Sequence, residues 1–376
     1  MPDNLKQDVF CILPFVQTVI RTDGTISSCC NIPGTQNIRT TNIEQFWNSE
    51  EVTELKQKIL GDRPVLQCEI CYKQEQVQGE SMRTRNLIDY KFFSKAHRAK
   101  VFDHYKYTTK RFPEKVEWHI QNLCNLKCLT CTPRDSSLFL TENQQLKITN
   151  LKQSQFSVDD SIIKKNLQLV FDHSVDVLDL RGGESMLIPK IQDILLSLTP
   201  EQYDRTLSIQ TNGTILTQTW QTIFSRFKKI KIMLSVDAHG DDNHYIRYPA
   251  DWHKIEHNAD YFLSQPNIQV HINCTISNLN FLLLNKLVSW ADSKNLFINW
   301  SFVDQPNYFH FTNLPTSIFD TAKMQVATVA GLENLSTAQS NMQHWKEFCD
   351  MINIRDKHRK NNIFNILPEL KPFWMD

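Results

Sequence analysis

Glycine is scarce, with nine residues in 376, which excludes a flexible, low-complexity chain. A surplus of either charge is missing too: Lys plus Arg and Asp plus Glu each number 41. The resulting zero net charge gives no general reason to expect nucleic acid or an anionic membrane as a partner. No apolar run approaches the ~18 residues that span a bilayer, and the N-terminus lacks the basic start and apolar core of a signal peptide. A cytoplasmic protein without a membrane partner is expected. Ten cysteines are sparse for such a chain, so a disulfide framework is poorly supported, and a reducing compartment keeps thiols free to bind metal. The remaining composition, 41% hydrophobic and 22% charged, is that of a globular protein with room for a barrel-sized domain and a smaller one.

Against that background the run from Asn122 to Cys131 stands out, because Cys124, Cys128 and Cys131 form the pattern C-x3-C-x2-C just after an alternating segment. Three thiolates suit an iron–sulfur cube with one iron left for another ligand. Zinc is the competing reading, since Cys128 and Cys131 could be half of a tetrahedral site completed by Cys124 and a distant residue.

From about residue 115 strand-like runs alternate with helix-compatible stretches, a pattern of parallel strands joined by crossovers. The expected strands are Lys115–Gln121, Asp176–Arg181, Thr206–Thr211, Lys229–Asp237, Ile268–Ile276 and Leu296–Val303. Six such units predict an α/β fold with a partial (β/α)6 barrel. Successive strand residues face opposite sides. Glu117, His119 and Gln121 therefore oppose Val116, Trp118 and Ile120; Asp179 and Arg181 oppose Leu178 and Leu180; Ser208 and Gln210 oppose Leu207 and Ile209. Likewise His271, Asn273 and Thr275 oppose Ile272, Cys274 and Ile276, and Asn299 and Ser301 oppose Ile298 and Trp300. One face is polar throughout, which implies either a wet, ligand-holding lumen or a sheet with that face in solvent.

The cysteine run is similar to the signature of radical S-adenosylmethionine (SAM) enzymes. That resemblance implies a 4Fe-4S cluster on Cys124, Cys128 and Cys131 whose open iron chelates SAM. It also implies reductive cleavage of SAM to a 5′-deoxyadenosyl radical that abstracts a substrate hydrogen, with a flavodoxin or ferredoxin as reductant. The aromatic residue common before the third cysteine is Thr130 here. Arg181-Gly182-Gly183-Glu184 resembles the Gly-Gly-Glu motif that binds the SAM amino group, with Glu184 as an anionic acceptor and Ser185 where proline is usual. Gln210-Thr-Asn212-Gly213 and Leu234-Ser235-Val-Asp237-Ala238 resemble the ends of the third and fourth strands in that family. Ser235 and Asp237 would bind ribose hydroxyls or orient a basic group, Arg247 would pair with the SAM carboxylate, and Asn278 would contact adenine or ribose. Each taken alone also fits a turn, a cap or a surface residue.

A second cysteine set precedes the barrel: Cys11, then Asp23-Gly24, then Cys29-Cys30, then Cys68-x2-Cys71. It resembles the twitch or SPASM cluster domain of many radical SAM enzymes, placed before the barrel instead of after it, with further echoes in Glu75, Gly79, Ser81, Arg83 and the Ile352 to Leu370 segment. The resemblance implies a second, auxiliary 4Fe-4S cluster on Cys11, Cys68, Cys71 and one of Cys29 and Cys30; zinc again competes. A site filled by four cysteines suits electron transfer and net oxidation. Epimerisation would need a thiol donor, for which Cys274 and Cys349 are uncommitted.

The expected layout is an auxiliary domain over residues 1–90, a basic linker over 91–114, the radical SAM barrel over 115–305 and a helical extension over 306–376. In that extension Gln343–Lys360 is helix-compatible, and Pro368 and Pro372 are expected to stop it. The Lys91–Arg111 stretch carries seven Lys or Arg and reads as a solvated helical face or as a dock for an acidic leader peptide or a nucleic acid. Relatives with this auxiliary fold act mostly on peptides or proteins and in some cases on small molecules such as amino sugars. Either substrate would meet Glu117, His119, Arg181, Gln210, His271, Asn273 and Asn299 in the lumen.

Overall fold

Period-two alternation sets the architecture. The computed structural model describes residues 9–78, 81–89, 112–173, 175–303, 305–332, 335, 338 and 341–375. Three short N-terminal strands, β1 (Gln17–Ile20), β2 (Thr25–Ser27) and β3 (Gln36–Asn37), precede six longer ones. These are β4 (Lys115–His119), β5 (Val177–Arg181), β6 (Thr206–Thr211), β7 (Lys229–Ser235), β8 (Ile268–Ile276) and β9 (Phe297–Phe302). All six expected strands are present, with ends that agree to within two residues.

The strands form one sheet in the order β3-β2-β1-β4-β5-β6-β7-β8-β9. Every neighbouring pair from β4 to β9 is parallel. Because β3 and β9 are both edges, the six-stranded barrel is partial. Helices Asp160–Asp172, Pro189–Leu196, Gln218–Arg226, Trp252–Ser264 and Leu284–Ser293 supply the crossovers. Their apolar stripes share one core with Val116, Trp118, Leu178, Leu180, Leu207 and Ile209.

The opposite face decides between lumen and solvent. Glu117 and Asp179 are only 3% and 2% exposed, so the polar face is enclosed along β4 to β6. Towards β7, β8 and β9 it opens, with Lys231, Gln269 and Phe297 exposed.

The N-terminal strands extend the barrel sheet. Gln17 to Ile20 pair in parallel with Lys115 to Trp118, and Ile20, Ile26, Ile43 and Phe46 join the main core. A separate small core holds Phe10, Cys11, Leu13, Phe15, Cys29, Cys68 and Leu87. The cysteine-bearing region thus has its own packing yet is tied to the barrel by strand pairing. The basic stretch Lys91–Arg111 and Gly79 lie outside the described residues.

The C-terminal helix spans Met342–Arg359, capped at its start by the Asn341 side chain. It does not run to the prolines. Lys360 adopts a left-handed conformation (φ 58°) and ends it, while Pro368 and Pro372 sit in a tighter helical turn, Pro368–Phe373. No helix among the described residues is long and apolar enough to cross a membrane.

Candidate active site

The cysteine loop follows β4 at the C-terminal ends of the parallel strands, where such folds gather their ligands. Backbone bonds fix it from three sides. Lys127 N–H donates to the Tyr248 carbonyl at 2.7 Å, Leu129 N–H to Ile246 at 2.8 Å, and Glu184 N–H to Leu123 at 2.7 Å. The Ser136 hydroxyl donates to the Leu126 carbonyl at 2.5 Å, and the Leu126 N–H points at the Cys124 sulfur at 3.4 Å.

Gly182 and Gly183 serve this loop directly. A Cβ on Gly183 would stand 2.2 Å from the Leu123 carbonyl oxygen, and one on Gly182, whose φ is +113°, would stand 2.7 Å from that of Gln121. Both contacts are with backbone, which has little room to give. Gly183→Ala is therefore expected to displace the cysteine loop and to lower the midpoint of thermal unfolding, measured by circular dichroism.

Cys124, Cys128 and Cys131 line one cavity of about 340 Å³ with Thr130, His119, Arg181, Gln210, Asn212, Ser235, Arg247 and Thr275. Gly182 and Gly183 are also in its wall. This is a normal size for a small-molecule site. Arg247 is held by a 2.8 Å ion pair with Asp237, whose other oxygen accepts the Thr275 N–H at 2.8 Å. Asp237 thus orients Arg247 from behind the wall. Burial pushes the Cys124 thiol up to about 12 and raises Cys128 and Cys131, with Arg247 pulling the other way. Loading metal on these thiols must expel protons.

One expected contact is corrected. Glu184 is 0% exposed, and its carboxylate already accepts the Asn212 N–H at 2.7 Å, the Met186 N–H at 3.1 Å and the Thr211 hydroxyl. Those oxygens brace β6 against the loop after β5 and are not offered to a ligand's ammonium. Asn278 is buried too, its Nδ2 donating to the Tyr308 carbonyl at 2.8 Å, while its Oδ1 has no partner among the described residues.

Of the expected substrate contacts, His119, Arg181 and Gln210 reach the cavity. Glu117 lies beneath them in an ion cluster that alternation alone leaves invisible. Lys115 Nζ is 2.8 Å from Asp179, Arg181 is 3.1 Å from Asp179 and 3.5 Å from Glu117, and His119 Nε2 is 3.0 Å from Glu117. Ser208 donates to the other Asp179 oxygen at 3.0 Å. Burial would raise both carboxyls, but Arg181 and Lys115 hold them below the ordinary carboxylate range. Two cations and two anions therefore form a neutral, charged floor. His271, Asn273 and Asn299 continue the polar face towards the open side, with Asn299 Nδ2 donating to Asn273 at 3.3 Å. Thr275 and Asp135 line the cavity without having been expected.

The N-terminal set forms a second centre. Cys11, Cys29, Cys68 and Cys71 line one cavity with Asn31, Gln67 and Arg83. The Asp23-Gly24 turn between β1 and β2 closes with a Gly24 N–H to Arg21 carbonyl bond of 2.8 Å. The Arg21 guanidinium then grips the carbonyls of Cys30 at 2.8 Å and Ile32 at 2.7 Å. Cys30 is absent from that lining: its thiol lies against Cys29, 3.1 Å from Met82 Sδ and 3.8 Å from Asn31 Oδ1. Its neighbourhood includes Glu117 and Arg181 of the barrel. The geometry therefore favours Cys29 over Cys30 as the third ligand. Zinc needs thiolates within about 2.3 Å of one point, and among the described residues no group of three Cys, His, Asp or Glu is arranged to hold a single ion.

A parallel partial barrel with a three-cysteine loop, joined to a small four-cysteine region, defines the class as an α/β protein with two cysteine-lined sites. Residues 11–72 match the SPASM family, an iron–sulfur cluster-binding domain. No curated protein matches the chain. Among solved structures, native anSMEcpe with bound AdoMet is similar at 18% identity and TM-score 0.41, over 66% of this chain and 62% of that one. SuiB of Streptococcus suis bound to S-adenosylmethionine is similar at 14% identity and TM-score 0.41, over 86% and 65%. SuiB bound to its precursor peptide SuiA gives 14%, 0.42, 87% and 66%. The chain spans less than two thirds of the length of each.

Proposed function

We propose that this chain is a radical SAM enzyme that acts on a peptide or protein side chain. The observation that carries the reading is the joint lining of one cavity. Three cysteines after β4, two glycines after β5, Asn212 after β6, Ser235 at the end of β7 and Arg247 beyond it all meet there. An iron–sulfur cluster on the three thiols, with SAM on its open iron, supplies a reducing electron and a carbon radical that removes hydrogen.

The chain's own residues do the rest. Arg247, fixed by Asp237, is placed to bind a carboxylate through charge-assisted bonds, and Ser235 and Asn212 offer polar groups to a ribose or amino acid moiety. The charged floor under His119, Arg181 and Gln210 receives the polar part of a substrate. The opening along β7 to β9 supports an extended chain over a compact sugar, which is the rival substrate. Cys274 and Cys349, the thiols that epimerisation could recruit, are fully buried and are not among the described residues lining the cavity. That leaves net oxidation as the better-supported outcome, with a flavodoxin or ferredoxin as external reductant.

Anaerobic reconstitution tests this. The expected result is about eight irons per chain, from two four-iron clusters, and formation of 5′-deoxyadenosine from SAM under reduction. Iron without any SAM cleavage would leave a binding module and refute the enzyme.

A further inference from the structure

We propose that Asn31, assisted by Tyr72, sets the reduction potential of the N-terminal iron–sulfur cluster by donating hydrogen bonds to its cysteine sulfurs. The inference rests on Cys11, Cys29, Cys68 and Cys71 being the ligands. Asn31 lies in the cavity wall with them, and its Nδ2 donates to Cys71 Sγ at 3.4 Å. The amide cannot turn away without loss, because its other end is occupied: the Cys30 thiol, 3.8 Å away, donates to Oδ1. Cys30, a residue adjacent to a ligand, thus acts as a positioning residue that aims the Asn31 donor at the cluster.

Tyr72 provides the second donor. Its hydroxyl is buried and has no hydrogen-bond partner among the described residues, and the side chain packs against the small core that holds Cys11, Cys29 and Cys68. A buried O–H is costly to leave unmade, and a ligand thiolate is an acceptor suited to it. Arg83, 1% exposed and paired with Glu75, stands behind the same sulfurs. Donors to the sulfurs offset the extra negative charge of the reduced cluster more than that of the oxidised one, so they raise the potential. That makes this cluster a better electron acceptor than it would be without these donors, in keeping with an oxidising role.

The test is a redox titration of the full chain carrying Cys124→Ala, so that only the N-terminal cluster contributes, followed by electron paramagnetic resonance. Adding Asn31→Leu is expected to move the midpoint to more negative potential at unchanged iron content, and Tyr72→Phe to do so in the same direction. Cys30→Ala is expected to retain full iron and to shift the midpoint less than Asn31→Leu. Unshifted midpoints in both Asn31→Leu and Tyr72→Phe, with iron retained, overturn the tuning role. If Asn31→Leu fails to load iron, Tyr72→Phe decides alone. Loss of iron in Cys30→Ala overturns the positioning role by making Cys30 the ligand. A Cys124→Ala chain that binds no iron overturns the ligand set itself, a different failure from an unshifted potential.

Discussion

Cys124→Ala is expected to abolish 5′-deoxyadenosine formation and to reduce reconstituted iron from about eight to about four per chain, the content of one cluster. The effect should be total because the three-thiol set has no spare ligand. The two other groups in the cavity wall that could coordinate iron, His119 and Asp135, are engaged elsewhere, His119 with Glu117 at 3.0 Å and Asp135 with the Thr132 hydroxyl at 2.6 Å. Cys274, the nearest free thiol in sequence to the later barrel strands, is buried in the apolar core. The same substitution should leave the fold intact, since the Cys124 side chain makes no bond that spans elements, and the loop is carried by backbone contacts through Lys127, Leu129 and Glu184. Circular dichroism and the remaining four irons check that point. Residual SAM cleavage above one hundredth of wild type would refute the assignment of this loop. A folded chain that loses all its iron would overturn the N-terminal ligand set, and one that loses its fold as well would show that the two cysteine sets depend on each other for folding.

How much of this was legible in the sequence follows from how local each signal is. The six barrel strands could be read because each alternates by itself, as in Val116-Glu117-Trp118-His119. The cysteine loop was legible through spacing. Cys29 and Cys30, being adjacent, satisfy any spacing rule equally, and only the path of the chain beyond β2 separates them. Glu184 was misread for a related reason: a motif gives the carboxylate but not its partners. Those partners, Thr211 and the Asn212 N–H, arrive from 27 and 28 positions further on. Lys115 and Asp179 each look like an ordinary strand residue, and their pairing appears only once β4 and β5 lie side by side in register. The prolines near the C-terminus do not stop this helix, since Pro368 opens a separate turn and Pro372 lies within it. The helix simply ends earlier, at a left-handed lysine that carries no comparable signature.

The least legible feature carries the largest stability effect. Glu142, 1% exposed, binds three cations at once: Arg355 at 2.6 Å, Arg359 at 2.6 and 2.8 Å, and Lys127 at 3.0 Å. Arg355 stands 213 residues away in the chain, so no window of sequence contains the pair. Arg359 also donates to the Lys127 carbonyl at 2.6 Å, which bolts the C-terminal helix to the residue before Cys128. Glu142→Gln keeps the shape and removes the charge, leaving two buried arginines and the half-buried Lys127 without their anion. A loss of about 3–5 kcal/mol in unfolding free energy is expected, the usual cost of breaking a buried pair from one side. Iron on the three-cysteine loop should fall with it, while the N-terminal cluster is spared. The pH dependence has a definite sign. Burial would raise the Glu142 carboxyl, but Arg359 and its companions hold it at about 2, below the ordinary 4.5. The stability it contributes is therefore fully present above pH 4.5 and lost as pH falls towards about 2. Urea unfolding of wild type and variant should differ by a constant amount at neutral pH, and the gap should close across that acid range. A difference below about 1 kcal/mol at neutral pH, the worth of an exposed ion pair, would show that the helix is held to the cysteine loop by packing alone.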